Sequence, residues 1–249
     1  MKKKLFIPVI CYNHTANTEY MMSLIALTHV LKNSGIEFVL YPIVFDSLVS
    51  RARNAAVAQF IHSDCTDLIF IDSDIEFDPE SVIKLLRHGK EVVAGVYAKK
   101  YYVLDRVFQG EEIVDFVISG NVELNSQGLI ECTYAPTGFL MINRSVFQKM
   151  MSAYPHLKYR NDIDGYGNLD TFYDFFHVSV RNGILESEDW GFCSLWRELG
   201  GKILIDPTIC LGHVGWTTFR GNPWKWCQES ISRNLSRETQ KIGKKLSIK

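Results

Sequence analysis

The sequence predicts an α/β fold: a doubly wound, mostly parallel sheet with a small antiparallel element in its second half. Three observations predict it. Strand-length apolar runs alternate with segments of helical apolar spacing through residues 1–100. The third of those runs, Leu68-Ile69-Phe70-Ile71, is apolar without alternation, as a strand covered on both faces requires. And 249 residues, 47% hydrophobic and 22% charged, suit one globular domain with a sizeable core.

Leu5 to Cys11 reads as the first strand, running into the loop Tyr12-Asn13-His14. Residues 19–33 carry Met22, Ile25, Ala26, Leu27, Val30 and Leu31 at helical spacing, and Asn33-Ser34-Gly35 supplies the left-handed stop. Phe38 to Phe45 is the second strand and Ser47 to His62 the second helix. After the third strand, Asp78-Pro79-Glu80-Ser81 starts a helix, with Asp78 as N-cap and Pro79 at the first helical position. Val92 to Tyr97 is the fourth strand. Beyond it the alternation breaks: residues 101–135 read as meander and loops, Thr137 to Ile142 as a strand, and Asn161 to Gly167 as a turn-rich excursion. Glu188 to Leu199 is helical, Gly200-Gly201 ends it, and Lys202 to Ile205 is a strand.

A net charge of -1 gives no field that argues for nucleic acid as a partner. No apolar run is long enough for a transmembrane segment. Lys2-Lys3-Lys4 resembles the start of a signal peptide, but the apolar stretch behind it ends within about eight residues, so a strand is the better reading. The six cysteines include no C-x-x-C pair, which predicts neither a zinc site nor a disulfide framework and points to a reducing, cytoplasmic setting.

Asp72-Ser73-Asp74 directly follows the buried third strand, and ligands of parallel sheets gather beyond the carboxyl ends of strands. On an extended segment residues i and i+2 point to one side, so both carboxylates are expected to face one hard cation, magnesium or manganese. Read as a calcium loop, Asp162 to Tyr173 fails, because position five is Tyr166 and position twelve is Tyr173; an ordinary turn is expected. No glycine-rich dinucleotide or P-loop fingerprint occurs. Ser50-Arg51-Ala52-Arg53-Asn54 instead opens the second helix, where arginine can meet a phosphate. Glu186-Ser187-Glu188-Asp189-Trp190 places carboxylates at a helix start, which suits the helix dipole or, for Asp189, a general base. His213 lies between Gly212 and Gly215, open to a metal or a substrate, with Trp216, Trp224 and Trp226 nearby for stacking or core packing.

Taken in order, Ser50-Arg51-Ala52-Arg53-Asn54, Ile71-Asp72-Ser73-Asp74, Glu188-Asp189-Trp190 and Gly212-His213-Val214-Gly215 resemble the GT-A (Rossmann-like) glycosyltransferases, family 2-like and Anp1-like, of bacterial or viral type. The resemblance covers roughly residues 5 to 220. It implies a metal-dependent transferase moving a sugar from a nucleoside-diphosphate donor, a uridine one, to a hydroxyl of a glycan or similar acceptor, with inversion. It also implies a division of roles. Asp74 and His213 would hold a divalent cation, Mn2+ or Mg2+, with Asp72 on the ion's water shell or the ribose and Ser73 beside it. Pro8, Val9 and Cys11 would line the base pocket, and Arg51 would face base or phosphates. Thr137 and Gly138 would floor the donor-sugar pocket, Glu188 and Trp190 would border the acceptor, and Asp189 would be the catalytic base. Residues 1–100 would be the nucleotide-binding half of one domain, residues 101–220 the donor-sugar and acceptor half, and residues 221–249 a C-terminal helix and tail.

The chain lacks the Q-x-x-R-W signature of processive synthases. Its tail, Ser232 to Lys249, carries Arg233, Arg237, Lys241, Lys244, Lys245 and Lys249 against the single acid Glu238. A solvated end is expected there, with peripheral contact to an anionic membrane as the alternative. Two rival functions remain on the sequence: a nucleotidyltransferase, which would use a similar ion but usually a glycine-rich first loop, and a non-catalytic sugar-nucleotide or glycan-binding protein.

Overall fold

A computed structural model describes residues 2–44, 46–118, 123–167 and 169–231. The chain begins with strand β1 (Lys4–Cys11), helix α1 (Thr18–Asn33), β2 (Glu37–Val44), α2 (Val49–His62) and β3 (Asp67–Ile71). A short β4 (Ile75–Glu76), helix α3 (Pro79–His88) and β5 (Val92–Ala94) follow. The second half holds β6 (Ile130–Cys132), β7 (Phe139–Asn143), α4 (Arg144–Ala153), the hairpin β8 (Ser179–Arg181) and β9 (Ile184–Glu186), α5 (Glu188–Glu198), β10 (Ile203–Ile205), β11 (Gly212–Val214) and β12 (Thr218–Arg220). Among the described residues no helix is long and apolar enough to cross a membrane, and the cysteines are all free thiols.

The punctuation read from the sequence operates as chemistry requires. Asp78 caps α3, its carboxylate accepting from Glu80 N at 2.9 Å, and Gly89 closes the helix at φ 60°. Gly35 leaves α1 at φ 66°.

The main sheet has the order β2-β1-β3-β7-β5-β10-β6. β1 runs parallel to both β2 and β3, and β10 runs parallel to β5. β7 is antiparallel to both of its neighbours, β3 and β5, and β6 is antiparallel to β10. The mostly parallel sheet therefore stands, but the fourth strand does not lie beside the third. β7 fills the slot between them, paired along both edges, and its Phe-Leu-Met-Ile run is buried because Leu140 and Ile142 enter one core layer and Phe139 and Met141 the other. β5 is also shorter than the expected Val92 to Tyr97. Among the described residues of 101–135 there is no meander; they hold a 3-10 turn (Leu104–Gln109), β6, and isolated bridges from Phe116 to Ala98 and from Leu124 to Ile130.

Strand pleating divides the core in two. Leu5, Ile7, Ile69 and Ile71 face the layer of α1 and α3, with Tyr20, Leu24, Leu27, Val82 and Leu86. Phe6, Leu68 and Phe70 face the layer of α2, α4 and α5, with Phe60, Phe147, Phe192 and Trp196. Helices on both faces are what doubly wound means. Ala52, Ala55, Ala56 and Ala58 let α2 lie close to the sheet. Helix α4, unread in the sequence, opens with Arg144, whose guanidinium donates to Phe60 O, Ile61 O, Ser63 O and Cys65 O at 2.6–3.0 Å. It thereby gives a donor to carbonyls at and just beyond the end of α2, of which Phe60 O also accepts from Ser63.

Candidate active site

The triplet Asp72-Ser73-Asp74 lies at the carboxyl end of β3, and three separate elements hold its backbone. Asp72 N donates to Gly138 O at 3.0 Å, and Ser73 O accepts from Asn17 N at 3.1 Å and Asn17 Nδ2 at 3.2 Å. Asp74 O accepts from Val214 N at 2.8 Å. The segment is not extended: Ile75 N returns to Asp72 O at 2.9 Å and closes a turn. The alternation argument for two carboxylates on one side fails for that reason, and each finds its own partners.

Asp72 faces α2. Arg53 Nη2 donates to its two oxygens at 3.0 and 3.2 Å, and Arg53 Nε lies 3.6 Å from Glu188. Arg53 is buried, its guanidinium over the Phe70 ring at 5.3 Å. Burial acts against its charge, but Asp72 and Glu188 outweigh it and raise its pKa. Its Nε and Nη1 have no hydrogen-bond partner. Arg53 thus ties the triplet to the first turn of α5.

Asp74 faces β11, which pairs with β4 directly after the triplet. Its Oδ2 accepts from Lys100 Nζ at 2.6 Å and lies 3.4 Å from His213 Nε2. Although burial pushes Asp74 up, His213 and Lys100 together hold its pKa at about 2. His213 Nδ1 lies 2.8 Å from Ala98 O, which can only accept, so Nδ1 carries the proton and Nε2 is the atom turned to Asp74. The Tyr97 ring packs on the imidazole at 4.7 Å. Burial, then the charge of Asp72, pushes the Tyr97 phenol well above its ordinary pKa; Asp189 and Asp74 act on it in the same direction. Tyr97, Asp72, Asp74 and Asp189 therefore belong to one electrostatic neighbourhood.

Gly138 sits against this cluster. A Cβ there would lie 2.6 Å from Tyr97 Oη and 2.9 Å from Asp72 Oδ2, so only glycine fits. Thr137 beside it is buried. At the start of α5, one Asp189 oxygen accepts from Trp190 N at 2.9 Å and from Ser187 Oγ, leaving the other oxygen available. Trp190 stacks flat on Tyr134, 4.3 Å between centroids.

On β1, Pro8 is buried and Val9 half-buried, paired with Tyr41 and Pro42. Cys11 at the strand end is buried and hydrogen-bonds Ser73; its thiol is raised by burial. Arg51 sits apart from the triplet. Its guanidinium donates to Asp46 at 2.8–3.0 Å, Tyr166 Oη donates to the same carboxylate at 2.7 Å, and the group borders a cleft of about 290 Å³ beyond β2. Of the two arginines in the motif, Arg53 is the one at the acidic triplet, and Lys100 and Tyr97 join it without having been read as site residues. Two residues apart on a helix, Arg51 and Arg53 point to different sides. The buried alanines around Arg53 are the signal that it needs an internal partner.

Asp72, Asp74 and His213 do not assemble as a set of three ligands, because Arg53 draws Asp72 away; among the described residues no group of three or more His, Cys, Asp or Glu is poised to hold a metal. The narrower pair does suit an ion. A carboxylate oxygen and an imidazole nitrogen, both ligand types that divalent cations accept, lie 3.4 Å apart. Lys100 occupies that oxygen with its ammonium.

No protein-family model matches the chain, and no curated protein matches its sequence. Among solved structures the chain is similar to A197 from STIV, at a TM-score of 0.50 and 18% identity over 90% of this chain and 91% of that one. That likeness is one of fold. More remote are S. aureus TarS, at a TM-score of 0.37 and 13% identity over 82% of this chain and 35% of that one, and 4-diphosphocytidyl-2C-methyl-D-erythritolsynthase from Anaerococcus prevotii, at 0.34 and 7% over 66% and 80%. At those TM-scores neither bears on what this chain does.

Proposed function

We propose that the chain is a metal-dependent glycosyltransferase of the GT-A type, taking a sugar from a nucleoside-diphosphate donor, a uridine one, to an acceptor hydroxyl with inversion. The observation that carries this reading is the meeting of Asp74, His213 and Lys100 at the sheet's carboxyl edge, with Asp72 linked through Arg53 to the helix start that bears Asp189.

Asp74 and His213 would hold the ion, Mn2+ or Mg2+, and when bound it supplies the positive charge that offsets the departing diphosphate. The remaining roles fall to side chains. Lys100, once displaced from Asp74, stays beside the anionic donor. Arg53 fixes Asp72 and Glu188 at a set separation, so the donor shelf and the α5 start keep one geometry. The unengaged oxygen of Asp189 accepts the acceptor's hydroxyl proton as the new bond forms. Trp190 and Tyr134 offer aromatic surface beside it for a sugar ring.

Incubation with a panel of nucleotide sugars and manganese, followed by release of nucleoside diphosphate, tests the reading and names the donor. One donor consumed slowly without acceptor is the expected outcome. Pyrophosphate released from a nucleoside triphosphate would replace it with nucleotidyl transfer, and saturable binding without turnover would leave a binding protein.

A further inference from the structure

Glu186 closes β9 with its side chain turned inward, 5% exposed. Its Oε1 accepts from Tyr134 Oη at 3.3 Å and from Ser194 Oγ at 3.2 Å. Its Oε2 is buried and has no hydrogen-bond partner; Arg181 Nε, 3.4 Å away, lends charge only, and that guanidinium is shared with Glu198. A buried carboxylate with an idle oxygen costs stability, and an apolar side chain of similar size often serves a fold as well or better. Stability therefore gives no reason for this residue, and what it holds has to supply one.

It holds the outer end of Tyr134. The backbone beside that ring is fixed separately, by Cys193 Sγ on Ala135 O at 3.7 Å, so Glu186 acts on the ring's orientation rather than on the path of the chain. Tyr134 lies flat on Trp190, with centroids 4.3 Å apart and planes within 1° of parallel. Both rings are only half-buried and keep open surface. Trp190 directly follows Asp189, one of whose oxygens is free of the bonds to Ser187 and Trp190 N. Fixed rings beside a carboxylate with a free oxygen suit a pyranose. Its C–H face lies on an aromatic face while a hydroxyl reaches the carboxylate, and rings already held in place lose little freedom on binding.

We infer that Glu186 is a positioning residue, which through the Tyr134 hydroxyl holds the Tyr134–Trp190 pair as the platform for a pyranose ring of the acceptor. The inference rests on the transferase reading for the identity of that sugar as acceptor; the pyranose subsite itself is measurable without turnover.

Fluorine NMR of the full chain carrying fluorotryptophan tests it, with Trp190→Phe identifying the Trp190 signal. Methyl glycosides of glucose, galactose and N-acetylglucosamine are the probes. At least one should shift the Trp190 signal saturably. Glu186→Leu and Tyr134→Phe should each move that signal in the free protein and weaken glycoside binding about fivefold, the loss of one hydrogen bond. The double variant should be no worse than either single one, because both break the same link. Glu186→Gln keeps an oxygen for the Tyr134 hydroxyl and should stay within about twofold of wild type. Tyr134→Phe removes a single oxygen atom and decides the matter even where Glu186→Leu folds poorly. A Trp190 signal indifferent to every glycoside overturns the inference, as does unchanged glycoside binding in Tyr134→Phe. A Trp190 response without consumption of any nucleotide sugar upholds the pyranose subsite and removes the transferase reading; consumption of a donor with Trp190 silent does the reverse.

Discussion

Asp74 and His213, distant in sequence, face each other at 3.4 Å because β11 pairs with β4, the two-residue strand that starts directly after Asp74. The pairing is short, yet it also delivers the bond from Val214 N to Asp74 O and so fixes both backbone positions. The two side chains are held by main-chain geometry rather than by each other.

That arrangement predicts direct metal binding. Manganese titration followed by electron paramagnetic resonance should show one bound ion, lost in Asp74→Ala and weakened about tenfold or more in His213→Ala. Lys100→Ala should tighten binding, since it removes the ammonium now resting on Asp74. Chelator should abolish transfer and manganese restore it; transfer that persists in chelator would remove the ion from the reaction.

Asp189→Asn keeps the bonds to Ser187 and Trp190 available but loses the basic oxygen. Transfer should fall by about a hundredfold or more, while nucleotide affinity measured by calorimetry stays within a factor of two or so. Unchanged turnover would exclude Asp189 as the base.

At Gly138 the added methyl group of alanine would press on Tyr97 Oη and Cε1 and on Asp72. Gly138→Ala should cost about 1–3 kcal/mol in denaturant unfolding. Tyr97→Phe in the same background removes the closest atom and should recover part of that loss.

Much of this could be read in the sequence, and what could not has identifiable physical causes. Apolar runs and stop signals gave β1, α1, β2, α2, β3 and α3 nearly residue by residue, because each depends on local spacing and caps. The position of β7 could not be read, because pairing between β3 and β5 depends on contacts far apart in the chain and leaves the same apolar signature as a parallel strand. The hairpin of β8 and β9 escaped because Val180, Ile184 and Leu185 point to solvent and match no core pattern. At the site, the acidic triplet and His213 were legible as residue types in a telling place. Lys100 was not, since nothing local marks a lysine whose partner arrives from another strand end.

Arg144 offers a test of the fold independent of any activity. Arg144→Met keeps apolar cover over Phe60 but removes the guanidinium donor from Ile61 O, Ser63 O and Cys65 O. A loss of about 2–4 kcal/mol is expected from urea melts. A loss below about 1 kcal/mol would mean that solvent satisfies those carbonyls equally well.

The buried Asp206 predicts a pH dependence. Burial works against its charge, but hydrogen bonds from Thr208 and His88, with Lys84 nearby, bring its pKa below the ordinary carboxylate range. A depressed folded-state pKa stabilises at pH above the unfolded value, about 3.9, and that contribution disappears as pH falls below it. Between about pH 5 and pH 3, wild-type unfolding free energy should therefore drop more steeply than that of Asp206→Asn. Parallel slopes for the two proteins would mean that Asp206 is no more acidic folded than unfolded.

The placement of β7 also governs the order in which the molecule can be completed. A nascent chain that has emerged only as far as β5 possesses two apolar strand edges and no strand to join them, for the missing partner is still within the ribosome. Until Phe139–Asn143 is translated, the β3 and β5 edges are open to other chains as readily as to their own. The amino-terminal hundred residues thus supply two strands of the main sheet, β3 and β5, whose shared partner is a strand encoded beyond them.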